Sequence, residues 1–121
     1  MKLHLDAPGG TNLIRAYAPG QLRVGDATMT SSALVSAGTL EPWRPASVAD
    51  LTSADFEPLY ALAPEVVLLG TGARQQFPDA GLLATLYARR IGVEIMDTPA
   101  ACRTYNVLVA EGRSVVAALI V

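Results

Sequence analysis

The sequence predicts an α/β fold: one domain, residues 1–121, with a mixed central sheet, parallel βαβ units and an N-terminal antiparallel meander. Residues 1–50 are rich in Gly, Pro, Ser and Thr and contain short alternating segments, which is typical of hairpins. Residues 51–121 instead alternate helical patterns with apolar strand-like runs over short loops, which indicates parallel strands joined by helices. A chain of 121 residues, 51% of them apolar, is long enough to bury a core.

Short strands joined by tight turns are predicted for the first half of the chain. Residues 12–17 alternate between two faces, as a strand does. Residues 21–24 and 27–30 flank a turn that begins at Gly25, and a glycine in this position favours a hairpin. Residues 34–40 continue the strand pattern, so we expect all of these segments in one small antiparallel meander.

Helices and strands alternate along the second half. Each predicted helix carries an apolar stripe at helical spacing, and the strand over 66–69 is a continuous apolar run that fits a sheet covered on both faces. In the third helix, Thr98 is expected to be the N-cap, Pro99 the first helical residue and Gly112 the stop, and Gly92 is expected to end the second helix. The predicted elements are helices over 55–63, 79–90 and 99–111 and strands over 66–69, 93–96 and 114–121.

Composition excludes several classes of protein. Nine basic against eleven acidic residues give a net charge of −2, whereas a general nucleic-acid binder carries a basic excess. The longest apolar run, residues 115–121, is too short to cross a bilayer, and the first residues carry no secretory signal, so we expect a cytoplasmic protein. A single cysteine, Cys102, excludes an internal disulfide and a multi-cysteine metal cage.

An anion-binding site is the first candidate for chemistry. Ligands of parallel α/β sheets gather beyond the carboxyl ends of the strands, where glycine-containing turns, helix N-termini and guanidinium groups suit a phosphate or carboxylate. The candidate residues are Gly70, Thr71, Gly72 and Arg74 after the first of these strands and Asp97, Thr98 and Arg103 after the second. The same residue types more often form a tight turn followed by a capped helix, and Gln75 replaces the third glycine of a dinucleotide fingerprint.

No catalytic constellation is predicted. Cys102 lies in the first turns of a helix beside Arg103, where a thiolate is stabilised, but it also borders the apolar stripe, which favours burial. His4, the single histidine, falls on a predicted N-terminal strand without a partner for acid–base work. The acidic residues are scattered, so we expect no metal site and no cofactor, and the sequence leans against an enzyme.

Four residues are candidates for a polar or interacting surface: Trp43, Asn106, Glu111 and Arg113. Trp43 stands between two prolines and either anchors a partner or forms a lid over the core. Asn106 shares a helix face with Arg103, while Glu111 and Arg113 bracket a glycine and are close enough in sequence to pair. This face is a solvated surface, an ion-pair network or a partner contact, and the sequence leaves the three interpretations open.

Two long motifs carry a family resemblance. They are residues 92–113, GVEIMDTPAACRTYNVLVAEGR, and residues 64–72, PEVVLLGTG, with further landmarks at Gly25, Ser31 or Ser32, and Trp43. The sequence resembles the small single-domain family that includes the mitochondrial complex I (NADH:ubiquinone oxidoreductase) assembly factor three. The resemblance implies a three-layer β+α/β/α fold and a protein that works through protein partners, and it brings no catalytic residues.

The function we expect is that of a non-catalytic interaction protein, and the resemblance implies an accessory role in the assembly of a respiratory complex. The alternative is a binding module or enzyme for a small anionic ligand at the loops that follow the strands 66–69 and 93–96. A third hypothesis is a homo-oligomer that associates through the apolar C-terminal strand or an N-terminal edge strand.

Overall fold

Eight strands and three α-helices make up residues 10–121, the part of the chain that the computed structural model describes. The predicted N-terminal strand with His4 lies outside the described residues. The strands are β1 (Ile14–Ala18), β2 (Gln21–Val24), β3 (Ala27–Met29), β4 (Ala33–Ser36), β5 (Thr39–Pro42), β6 (Val66–Gly70), β7 (Gly92–Met96) and β8 (Val115–Leu119). The α-helices are α1 (Glu57–Leu62), α2 (Ala80–Ala88) and α3 (Thr98–Ala110), and short 3-10 helices occupy Val48–Asp50 and Ser53–Phe56.

The central sheet has five strands in the order β5-β4-β8-β6-β7. Strand β6 is parallel to both β7 and β8, whereas β4 is antiparallel to β5 and β8. The prediction of a mixed sheet with parallel βαβ units is therefore confirmed. Because β8 is paired on both sides, self-association through the C-terminal strand would require the sheet to open, and this part of the oligomer hypothesis is wrong.

The small sheet contains only β1, β2 and β3, paired antiparallel in that order. Gly25 forms the predicted turn with a positive φ of 57°, a conformation that glycine adopts without strain. The register shifts between Ile14 and Ala16, so a bulge at Arg15 interrupts the predicted alternation of β1. The meander prediction was too wide, since β4 and β5 belong to the central sheet: Leu34 is buried on one face of it and Val35 on the other.

Two apolar cores lie on the two faces of the central sheet. Helix α3 and the small sheet cover one face, and α1, α2 and residues 43–56 cover the other, which gives the three-layer β+α/β/α arrangement. Successive residues of the strands alternate between the cores, as the pleat requires. The first core receives Val66, Leu68, Val115, Ala117 and Leu119, and the second receives Val67, Leu69, Val116, Ala118 and Ile120.

Helix ends differ from the predicted ones for reasons of capping. Asp97, not Thr98, is the N-cap of α3, because its carboxylate accepts a hydrogen bond from the N–H of Ala100 at 2.8 Å. Helix α2 ends before Gly92: Arg90 takes the left-handed conformation with φ 63°, and the N–H of Ile91 donates to Leu86 O at 3.0 Å. Gly112, with φ 79°, ends α3 as predicted.

None of the helices in residues 10–121 is both long enough and apolar enough to span a bilayer.

Candidate functional site

The carboxyl ends of β6 and β7 meet in a junction that is closed by Thr98. Its Oγ1 accepts a hydrogen bond from Gly72 N–H at 2.8 Å and donates to Ile120 O at 2.7 Å, and its own N–H donates to Gly72 O at 2.8 Å. Thr98 is fully buried. Gly70 has no side chain here because a Cβ would stand 2.9 Å from Thr98 Oγ1 and 2.9 Å from Leu119 Cδ2.

The backbone donors of this junction are already used within the protein. Thr71 N–H donates to Met96 O at 2.9 Å, and the N–H groups of Ala100 and Ala101 both donate to Asp97. An incoming phosphate or carboxylate would have to break these bonds to obtain donors. Five of the seven predicted anion-binding residues thus meet in this junction, where their polar groups bond within the protein: Gly70, Thr71, Gly72, Asp97 and Thr98.

The two predicted arginines do not join the junction. Arg74 is exposed in the loop after β6, and its carbonyl accepts the Thr71 hydroxyl at 2.7 Å. Arg103 lines a groove between β1 and the first half of α3 instead. We therefore do not place an anion site at the two loops. The guanidinium of Arg103 belongs to the groove.

The groove between β1 and α3 has a volume of about 350 Å³. One wall is the β1 strand and the other is α3, so the small sheet and the helix form it together. Within residues 10–121, its lining includes two guanidinium groups and no carboxylate. The lining residues are Ile14, Arg15, Ala16, Tyr17, Pro99, Cys102, Arg103 and Asn106.

Asn106 fixes the two walls of the groove to each other. Its Oδ1 accepts the N–H of Ile14 at 2.9 Å, and its Nδ2 donates to the carbonyl of Ile14 at 2.8 Å, so its amide pairs with β1 as a neighbouring strand would. The hydroxyl of the preceding residue, the buried Tyr105, donates to Asn12 O at 2.8 Å. Asn106 is therefore an internal contact between α3 and β1, and not part of a solvated or partner-binding surface.

Cys102 lies at the floor of the groove and is buried. Burial raises the pKa of its thiol to about 11, although the neighbouring Arg103 acts in the opposite direction. Of the two alternatives for Cys102, the structure supports the buried, protonated thiol. Tyr17 is half-buried beside it, and burial together with the negative charge of Asp97 raises the pKa of the Tyr17 phenol.

The thiol of Cys102 is expected to react slowly with a disulfide reagent in the folded protein. A pKa of about 11 in place of 9.0 leaves roughly 100-fold less thiolate at pH 8, and burial slows access further. Because the chain has one cysteine, the release of thionitrobenzoate reports this residue alone. Equal labelling rates in native buffer and in guanidinium chloride would contradict the assignment.

Residues 14–120 match the family described as proteins of unknown function, DUF498/DUF598. The chain belongs to this family. A zebrafish (Danio rerio) relative, NADH dehydrogenase (ubiquinone) 1 alpha subcomplex assembly factor 3, is 37% identical over 117 residues, which cover 95% of this chain and 67% of the relative. The human protein of that name is 41% identical over 80 residues, 64% of this chain and 44% of its own length. The chain therefore spans about two thirds of the fish protein and less than half of the human one.

Solved structures of bacterial proteins share the fold of this DUF498/DUF598 chain. A crystal structure from Bordetella parapertussis has a TM-score of 0.83 at 40% identity and covers 90% of this chain and 94% of its own. An NMR structure of a Mth938-like domain from Bordetella pertussis has a TM-score of 0.82 at 34% identity and covers 98% and 91% of the two chains. The resemblance seen in residues 64–72 and 92–113 is thus confirmed.

Trp43 of this DUF498/DUF598 protein is a lid over the second core. It is 5% exposed, its ring lies 6.1 Å from that of Phe56 between centroids, and its Nε1–H donates to Asp55 O at 2.8 Å. The alternative in which Trp43 anchors a partner is therefore wrong, because too little of the ring is accessible.

Glu111 and Arg113 do not pair with each other. Arg113 Nε donates to Glu65 Oε1 at 2.9 Å, since the left-handed turn at Gly112 carries the chain back towards the start of β6. Both side chains of this Arg113–Glu65 pair are about half exposed, and Glu111 is exposed at the end of α3. The pair is a surface contact of small energetic weight.

An ion-pair cluster around Asp55 was not predicted. Arg44 donates through Nε and Nη2 to the two carboxylate oxygens of Asp55 at 2.8 and 2.7 Å, and Thr52 completes a capping box with the same carboxylate. The contact between Thr52 and Asp55 is visible in the sequence, because the two residues have the spacing of a capping box. Arg44 lies in a loop with no periodicity, so nothing local pointed to it.

Proposed function

We propose that this chain is a non-catalytic interaction protein that helps to assemble a respiratory NADH dehydrogenase. The observation that carries the proposal is the 37% identity with a named assembly factor across 95% of this chain. An assembly factor binds enzyme subunits, so the proposed partners are proteins. We propose the cytoplasm as its compartment.

The chemistry of the groove and junction supports binding rather than turnover. The one thiol is buried and protonated at neutral pH, and the one histidine, His4, falls outside the described residues. Within residues 10–121, no three His, Cys, Asp or Glu side chains cluster as metal ligands would. These features leave no activated nucleophile among the groups described above.

Deletion of the gene in the source organism tests the assembly role. We expect the loss of most of the assembled NADH dehydrogenase on a native gel of gently solubilised membranes, with a parallel fall in NADH:quinone activity. A plasmid copy of the gene should restore both, because it supplies the missing protein again. Succinate dehydrogenase, measured in the same membranes, is the control and should stay constant. An unchanged amount of NADH dehydrogenase, or an equal fall in both enzymes, would contradict the proposal.

A further inference from the structure

We propose that the groove between β1 and α3 binds a small organic anion through a carboxylate or phosphate group. The site is separate from the closed junction at the ends of β6 and β7, and nothing in the proposed assembly role requires it. Three properties of the groove lead to this ligand class: its size, its rigidity and its charge.

The size and rigidity of the groove suit a small molecule. A volume of about 350 Å³ lies within the roughly 300–1,000 Å³ that is typical of ligand pockets. The paired hydrogen bonds between Asn106 and Ile14 hold the strand and the helix together, so the walls are already in place before a ligand arrives. Apolar surface for the body of a ligand comes from Ile14, Ala16 and Pro99.

The charge of the groove selects an anion. Arg103 is exposed on the α3 wall, and within residues 10–121 no carboxylate forms an ion pair with it. Its guanidinium can therefore offer two parallel N–H donors to a carboxylate or phosphate. Among residues 10–121, none that lines the groove carries a negative charge at neutral pH, since the Cys102 thiol is protonated.

Tyr17 supplies a neutral donor to the same space. Burial and the nearby negative charge of Asp97 raise the pKa of the phenol, so at neutral pH its hydroxyl keeps the proton and can donate a hydrogen bond to an anion. The charge of Asp97 also opposes an anion in the groove. Its carboxylate is held at the start of α3 by the N–H of Ala100, and Asp97 does not line the groove, whereas Arg103 and Tyr17 do.

Titration of the labelled protein with two probes tests the site. Citrate and inorganic phosphate, each at constant ionic strength, are followed by amide chemical shifts in two-dimensional NMR. We expect saturable shifts confined to the groove, at Tyr17, Cys102 and Arg103. Saturation by citrate alone identifies a carboxylate ligand, and saturation by phosphate alone identifies a phosphate ligand.

Two variants should change the affinity in opposite directions. R103Q is expected to weaken binding by roughly tenfold or more, because a charge-assisted hydrogen bond is lost. D97N should tighten it several-fold, because the negative charge disappears while asparagine still caps α3. Both variants should melt close to the wild type without probe, which shows that they are folded.

Arg74→Gln is the matched control, since it removes the same charge from an exposed arginine in the loop after β6. We expect it to leave the affinity unchanged. The proposal is overturned if neither probe gives saturable shifts in the groove, or if R74Q weakens binding as much as R103Q. Neither result bears on the amount of assembled NADH dehydrogenase, so the two proposals fail separately.

Discussion

Thr98→Val is expected to lower the free energy of unfolding by about 3 kcal/mol, because the N–H of Gly72 and the buried carbonyl of Ile120 lose their partner. Valine has the shape of threonine but neither donates to Ile120 O nor accepts from Gly72 N–H, and the residue is fully buried. Urea denaturation followed by the fluorescence of Trp43, the single tryptophan, measures the change.

Thr98→Ser is the control for this substitution. Serine keeps the hydroxyl in the junction and removes one methyl group, so we expect a loss of only about 1 kcal/mol. If valine and serine destabilise the protein equally, the hydrogen bonds of Thr98 do not hold the junction and its packing does.

Asp55→Ala is expected to cost a similar amount, about 3 kcal/mol, since one carboxylate serves both an ion pair and a helix cap. Asp55 is buried and accepts from Arg44 and from the N–H and Oγ1 of Thr52. Arg113→Ala breaks the half-exposed pair with Glu65, and there we expect about 0–1 kcal/mol. Denaturation midpoints of the two variants, compared with the wild type, separate an ion pair with a buried carboxylate from a pair that is half exposed on both sides. Equal losses would contradict this account.

The contribution of Asp55 should disappear in acid. Its hydrogen bonds with Arg44 lower its pKa from 3.8 to about 2, so between these values the unfolded chain binds a proton that the folded protein does not. The stabilisation is complete above about pH 4 and is lost as the pH falls towards 2. The free energy of unfolding should fall by up to about 2 kcal/mol over this range. Asp55→Ala should flatten this part of the stability curve. A wild-type curve that does not fall between pH 4 and pH 2 would contradict the low pKa.

The parallel half of the fold follows from local sequence, whereas the placement of β4 and β5 does not. Residues 66–69 are apolar without interruption, which indicates burial on both faces, and Pro99 and Gly112 mark the ends of α3. Strand β4 pairs with β8, which lies at the other end of the chain, so its alternation alone cannot distinguish the central sheet from the small one.

The meeting of the two loops could be predicted, because the carboxyl ends of neighbouring parallel strands lie at the same edge of a sheet. The loops after β6 and β7 do come together, but Thr98, expected to bind an anion, fills the space with its own hydroxyl. A threonine side chain can bond a ligand or the backbone, and sequence does not say which. The groove depends on the bulge at Arg15 and on the packing of the small sheet against α3, and neither is a local property.

The position of β8 has a consequence for the nascent chain. It is the last of the described strands to leave the ribosome, yet it lies in the middle of the central sheet. Until then, the β4–β5 hairpin and the β6–β7 pair are two half-sheets, each with an apolar edge open to other chains. The central sheet can therefore be completed only after translation has reached residue 119. A chain that ended before residue 115 would contain the β4–β5 hairpin and the β6–β7 pair without the strand that pairs with both.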